Sequence, residues 1–211
     1  MEIGLVAGHC DAAPGAAANG LVEHSYCDDL ATRVTLKLLA LHPWCAIYTP
    51  VWLYDIPPVQ SLNQRIAAFN DCGVAVAVEL HLNASRLRYP NYKLLLHCGV
   101  SQAGRELAQS IGHELDRCCP WHPSKEPTKI RADEGFSKHK RLAFLHGTTM
   151  PSVIVEPAFI THRPSARAIQ SESHRDDLAQ AIAAGIVSYL EDHPPRPNIN
   201  RLNVDSSPGA S

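Results

Sequence analysis

Three runs of apolar residues in this chain each stop at a side chain that can bind a metal or move a proton. Ile3–Gly8 (IGLVAG) stops at His9, Val74–Leu80 (VAVAVEL) at His81, and Val153–Val155 (VIV) at Glu156. Short continuous apolar runs of this kind read as strands buried on both faces of a parallel sheet. Between them the pattern changes to helical spacing. Leu30, Val34, Leu38 and Leu41 predict a helix over about 26–41, and Ser61-x-x-Gln64 before Ile66, Ala67 and Phe69 reads as a capping box opening a helix that Gly73 ends. Further helices are expected over 101–118 and 174–191, the last with Leu178, Ile182, Ile186, Tyr189 and Leu190 on one face. Shorter strands are expected at 45–49, 92–97 and 141–145, and an irregular polar loop at 120–138.

Strands alternating with helices predict an α/β fold: one domain with a mostly parallel, open, twisted sheet flanked by helices on both faces. The domain should occupy residues 1–192. Residues 193–211, rich in Pro and without apolar periodicity, should form a disordered tail. In open sheets of this class ligands bind beyond the carboxyl ends of the strands. His9, His81 and Glu156 should therefore gather at one rim, joined by Glu23 on the loop after the first run.

Composition narrows the possibilities. Among 211 residues, 45% are hydrophobic and 19% charged, with a formal net charge of −2. A nucleic-acid partner is not expected, because it usually leaves a basic footprint. No apolar stretch reaches membrane-spanning length, so no integral membrane segment is expected. The first strand begins almost at once, with no charged leader, which predicts synthesis in the cytoplasm without a signal peptide. Seven Cys without repeated spacing argue against a disulfide framework. His113, Cys118, Cys119 and His122 are a rival metal cluster, but H-x4-C-C-x2-H is not a usual zinc pattern and two adjacent Cys serve one tetrahedral ion poorly.

The remaining set has a definite chemistry. A hydrolytic zinc site needs three protein ligands and an open position for water. His9 and His81 supply imidazoles and Glu23 a carboxylate. Glu156 is free to act as the base that deprotonates the water and then protonates the departing amine. Taken singly, each of these residues has an ordinary structural explanation; their joint placement carries the case. By strand parity Glu79 shares the side of His81, which makes it a possible neighbour of a metal ligand. Asn83 could bond substrate or brace its loop.

The segments GLVAGHC, NGLVEHSYCDDLATRVTLKLL, LNQRIAAFNDCGVAVAVELHLNAS, MPSVIVEPAFITH and DDLAQAIAAGIVSYL resemble the zinc-dependent N-acetylmuramoyl-L-alanine amidases of cell separation and phage lysis. The resemblance runs from about residue 2 to 190. It implies Zn2+ held by His9, Glu23 and His81, with Glu156 as the catalytic carboxylate. It also implies a peptidoglycan substrate cut between N-acetylmuramic acid and L-alanine, as in an endolysin that acts on the wall once released; recycling of soluble muropeptides is the other use. Two departures stand out: Glu79 replaces a small polar residue, and Pro157-Ala158-Phe159 replaces a Gly-Phe type turn. A zinc carboxypeptidase or N-acyl amino-acid amidohydrolase of related fold remains an alternative, with Arg65, Arg86, Arg88 or Arg131 available for a terminal carboxylate. So does an inactive peptidoglycan-binding module. The oligomeric state is not legible.

Overall fold

The computed structural model describes residues 2–49, 58–87, 89–135 and 141–194. The expected tail beyond 194, Arg88 and the 136–138 end of the expected irregular loop lie outside the described residues.

A six-stranded sheet forms the middle layer. Its strands are β1 (Glu2–Ala7), β4 (Ala46–Tyr48), β5 (Val76–Leu80), β6 (Leu94–His97), β7 (Lys129–Ala132) and β8 (Ser152–Glu156). The order is β4-β1-β5-β8-β6-β7. All neighbours are parallel except β6 and β8, where Leu94 faces Glu156 and His97 faces Val153. A two-stranded ribbon, β2 (Ala17–Ala18) with β3 (Leu21–Val22), precedes α1 (Glu23–Leu41). The other helices are α2 (Pro58–Cys72), α3 (Gln102–Cys118), α4 (Ala143–Gly147), α5 (Arg163–Ile169) and α6 (Glu172–Asp192). None of the described helices is long and apolar enough to cross a membrane.

Alternation along the strands divides the core in two. Leu5, Ala7, Val78, Leu80, Val153 and Val155 face α1, α3 and α6, whereas Val6, Ala77, Leu96 and Ile154 face α2 and α4. On the second side Phe69 and Phe144 meet edge to face at 6.3 Å, tying α2 to α4. On the first, Arg33 of α1 pairs with Asp29, Glu172 and Asp176, joining α1 to the start of α6. The whole expected face of α6 is buried; on α1, Leu41 is exposed.

Four local expectations are corrected. Arg141–Leu145 is not a strand: Ala143–Gly147 forms α4. The polar stretch after Pro120 contains β7 as an edge strand, then a 3-10 turn at Asp133–Gly135. Ser61 does not cap α2, which starts at Pro58; its hydroxyl is buried without a hydrogen-bond partner among the described residues. Glu23 is not on a loop but is the first residue of α1, because the β2–β3 ribbon runs straight into the helix. None of the seven Cys forms a disulfide.

Candidate metal centre and active-site cleft

The chain leaves β1 to pair β4 on one side and returns to place β5 on the other. The sheet therefore switches direction between β1 and β5, the position where open α/β sheets bind ligands. His9 and His81 follow these two strands, and Glu156 ends β8, the next neighbour.

Glu23 is the meeting point. Its Oε1 lies 3.2 Å from His9 Nε2 and 3.0 Å from His81 Nδ1. The same oxygen accepts a bond from the Leu82 amide (3.1 Å), and Oε2 accepts one from the Ala16 amide (2.9 Å). Burial opposes ionisation of this carboxyl, but the bonds from His81 and His9 outweigh it and hold Glu23 well below the usual carboxylate range. Burial likewise disfavours the His81 imidazolium, but Glu23 and Glu79 reverse the balance and raise it to about 10. One nitrogen from each ring and one Glu23 oxygen all lie within 4.8 Å of one another, so the three side chains could hold a single cation.

Glu79 answers the parity expectation. Its Oε2 lies 3.3 Å from His81 Nε2, the ring nitrogen opposite the one that faces Glu23. Its other oxygen lies 3.8 Å from Arg65 Nη1, which donates to the Ala7 carbonyl at 2.8 Å. A carboxylate on the outer nitrogen of a ligating His fixes the tautomer and strengthens the inner nitrogen as a donor. Glu79 therefore contacts His81 on the ring edge away from Glu23.

The local backbone is shaped for this cluster. His9 adopts a left-handed conformation (φ 66°), which is uncommon outside glycine and costs on the order of 1 kcal/mol. A Cβ on Gly8 would lie 2.2 Å from the His81 ring, and one on Gly15 would lie 2.5 Å from Glu23 Oε2. Small residues are thus required where the loop after β1 crosses the ligands. His24 braces that loop, with Nδ1 3.0 Å from the Gly8 carbonyl oxygen and Nε2 3.7 Å from Asp11.

The cluster opens on a cleft of 330 Å³ lined by His9, Arg65, Glu79, His81, Phe144 and Glu156, among others. Glu156 is buried, and its Oε2 has no hydrogen-bond partner among the described residues. Burial, reinforced by Glu23 and opposed by the two imidazoles, pushes its carboxyl up to about 7. A carboxyl that gains and loses a proton near neutrality suits general base and acid work.

The other candidates separate. Asn83 braces its loop through the backbone: its amide donates to Ala158 O (2.9 Å), and its carbonyl accepts from Ile160 N (2.8 Å). The 113–122 set does not converge as a metal cluster among the described residues: Cys118 turns to Glu114 and His122 to Ser124. Of the arginines, Arg65 reaches the cleft but is already paired, Arg131 lies over Tyr92, and Arg86 lines a separate surface with Tyr89 and Arg163. Sequence reading did not identify Arg65 as the partner of Glu79; its position on α2 one turn after Ser61 gave no sign of which carboxylate it would meet.

A family model described as N-acetylmuramoyl-L-alanine amidase matches residues 3–188. The amidase LytC of Bacillus subtilis is 31% identical over 186 residues, covering 86% of this chain and 34% of that protein. The endolysin of Bacillus phage SPP1 is 25% identical over 188 residues, covering 88% and 65%. The chain thus spans about a third of the first of these curated relatives and just under two thirds of the second. The fold matches the catalytic domain of CwlV from Paenibacillus polymyxa, with TM-score 0.76, 20% identity and coverage of 90% and 99%. It also matches an N-acetylmuramoyl-L-alanine amidase from Clostridium difficile 630, with TM-score 0.77, 19% identity and coverage of 91% and 97%.

Proposed function

Because the chain belongs to the N-acetylmuramoyl-L-alanine amidase family, we propose that it is a zinc hydrolase cutting the amide between the lactyl group of N-acetylmuramic acid and the L-alanine of the stem peptide. The observation that carries this reading is the convergence of His9 Nε2, Glu23 Oε1 and His81 Nδ1 in one cleft with the buried Glu156 carboxylate, whose Oε2 has no hydrogen-bond partner among the described residues. Two imidazoles and one carboxylate form a donor set suited to zinc with an open position.

His9, Glu23 and His81 would hold the ion. When bound, zinc supplies Lewis acidity that activates water and polarises the scissile carbonyl. Glu156 accepts the proton of the attacking water and delivers it to the leaving amine, a cycle its elevated pKa favours. Glu79 keeps the His81 ring in place, and Arg65 balances the charge of Glu79. Similarity to a phage endolysin supports a lytic role on the wall, and the amidase relatives support the same bond.

The test is product analysis on purified peptidoglycan. Release of stem peptides with a free alanine amino group, leaving intact glycan strands, supports the reading. Release of single amino acids from the carboxyl end of the stem would instead establish a carboxypeptidase, and binding without release would establish a wall-binding module.

A further inference from the structure

A second group of potential metal ligands lies at the other end of the sheet. Because β6 and β7 run against β8, the residues that follow them emerge at the end opposite Glu156. Cys98 follows β6, Asp133 follows β7, and α4 brings His146 between them. Cys98 Sγ lies 3.7 Å from His146 Nδ1 and 3.9 Å from Nε2. His146 Nε2 lies 2.7 Å from Asp133 Oδ2, which also accepts from the Leu142 amide at 3.2 Å. One ligand atom from each residue falls within 4.8 Å of the others.

Burial argues that this is more than a surface cluster. Asp133 is fully buried, yet its Oδ1 has no hydrogen-bond partner among the described residues. A buried carboxylate oxygen left unsatisfied is costly, and native structures rarely tolerate one without a reason. The cluster lies outside the cleft that holds Glu156, and Cys98 lines none of its surface.

We propose that Cys98, Asp133 and His146 form a second metal site, built to hold a thiophilic divalent cation such as zinc in a structural role. Thiolate, carboxylate and neutral imidazole carry two negative charges and neutralise a divalent ion in a buried setting. Zinc bonds of about 2.0–2.3 Å place ligand atoms roughly 3–4 Å apart; Cys98 Sγ and the His146 nitrogens already lie in that range, and the 2.7 Å Asp133–His146 hydrogen bond would open to admit the ion. Binding forms three metal–ligand bonds and releases the Cys98 thiol proton to solvent. The His146 side chain is 19% exposed, so water can complete the tetrahedron. The ion would cross-link β6, β7 and α4, and so fix the helix that carries Phe144 to the cleft.

Cobalt(II) reads this site separately, because only a thiolate ligand adds a near-ultraviolet charge-transfer band. The full chain, stripped by a chelator and titrated with cobalt(II), should bind two equivalents, one of them developing the band. Cys98→Ser should bind one equivalent, lose the band and retain wall hydrolysis after zinc is restored. His81→Ala should bind one equivalent and keep the band. Saturation of the unaltered chain at one equivalent would overturn the proposal and leave an ordinary Asp–His pair beside a thiol. So would a band that survives Cys98→Ser, which would assign the thiolate elsewhere, with Cys10 in the cleft the first suspect. Should Cys98→Ser fail to fold, His81→Ala decides: loss of the band there overturns the second site.

Discussion

Glu79 Oε2 lies 3.3 Å from Nε2 of His81, on the far side of the ring from Glu23. This contact holds the imidazole with Nδ1 turned toward Glu23. Glu79→Gln should weaken zinc affinity about 10–100-fold. Competition against a chelator of known affinity measures it, and unchanged affinity would remove Glu79 from the site.

Glu156 is predicted to trade stability for activity. Glu156→Gln should keep zinc and lower kcat about 10²–10⁴-fold, as expected for loss of a general base. The same substitution should stabilise the metal-free protein. The folded carboxyl titrates near 7 against 4.5 for the free group, so the folded state binds the proton more tightly. The wild type therefore loses stability relative to the Gln variant as pH rises from 4.5 through 7, by up to about 3 kcal/mol. Melting curves with chelator between pH 4 and 8 should diverge over that window and coincide below it.

Metal binding should be coupled to proton release. Without the ion His81 stays protonated up to about pH 10, and a ligand must be neutral. Zinc affinity should accordingly rise about tenfold per pH unit between pH 7 and 9. Calorimetry in buffers of different ionisation enthalpy would reveal the proton; an affinity flat over that range would contradict the arrangement.

Removing the metal should stop wall hydrolysis and lower the melting temperature, since an ion bound only by the folded state stabilises it by about 2.7 kcal/mol at 100 times its dissociation constant. Restoring zinc should recover both. Activity that survives exhaustive chelation would exclude the mechanism.

Gly8 offers a steric test that leaves the ligands' chemistry untouched. A methyl group there would meet the His81 ring at 2.2 Å and force it to move. Gly8→Ala should lose most wall-cleaving activity and weaken zinc binding, while costing roughly 1–3 kcal/mol in stability. Wild-type turnover in that variant would show that the ring has room to shift.

His9, His81 and Glu156 were legible because strands buried on both faces leave plain apolar runs, and a His or Glu that ends such a run has only the rim to occupy; Glu23, at the start of α1, left no such mark. Parity alone put Glu79 beside His81. Other elements left weaker marks. Lys129–Ala132 forms a half-buried edge strand too polar to stand out, and Leu142–Leu145 is an apolar run whose length fits strand or helix equally. The Ser61 box matched a local rule that tertiary structure overrode, because α2 begins a turn earlier. The Cys98–Asp133–His146 group could not be read at all: it depends on the reversal of β6, and no periodicity records which way a strand runs.

That reversal also governs how the cleft can change. β6 begins beside Glu156, so the segment from His81 to Lys93 both leaves and rejoins the sheet at the rim, pinned near its start where Asn83 pairs with Phe159. Chain inserted there never has to cross the molecule, and lengthening a surface loop costs little closure entropy. The strand that breaks the parallel rule thus supplies a handle on the cleft's edge: new contacts can be grafted on there while His9, His81 and Glu156 stay fixed at the ends of neighbouring strands.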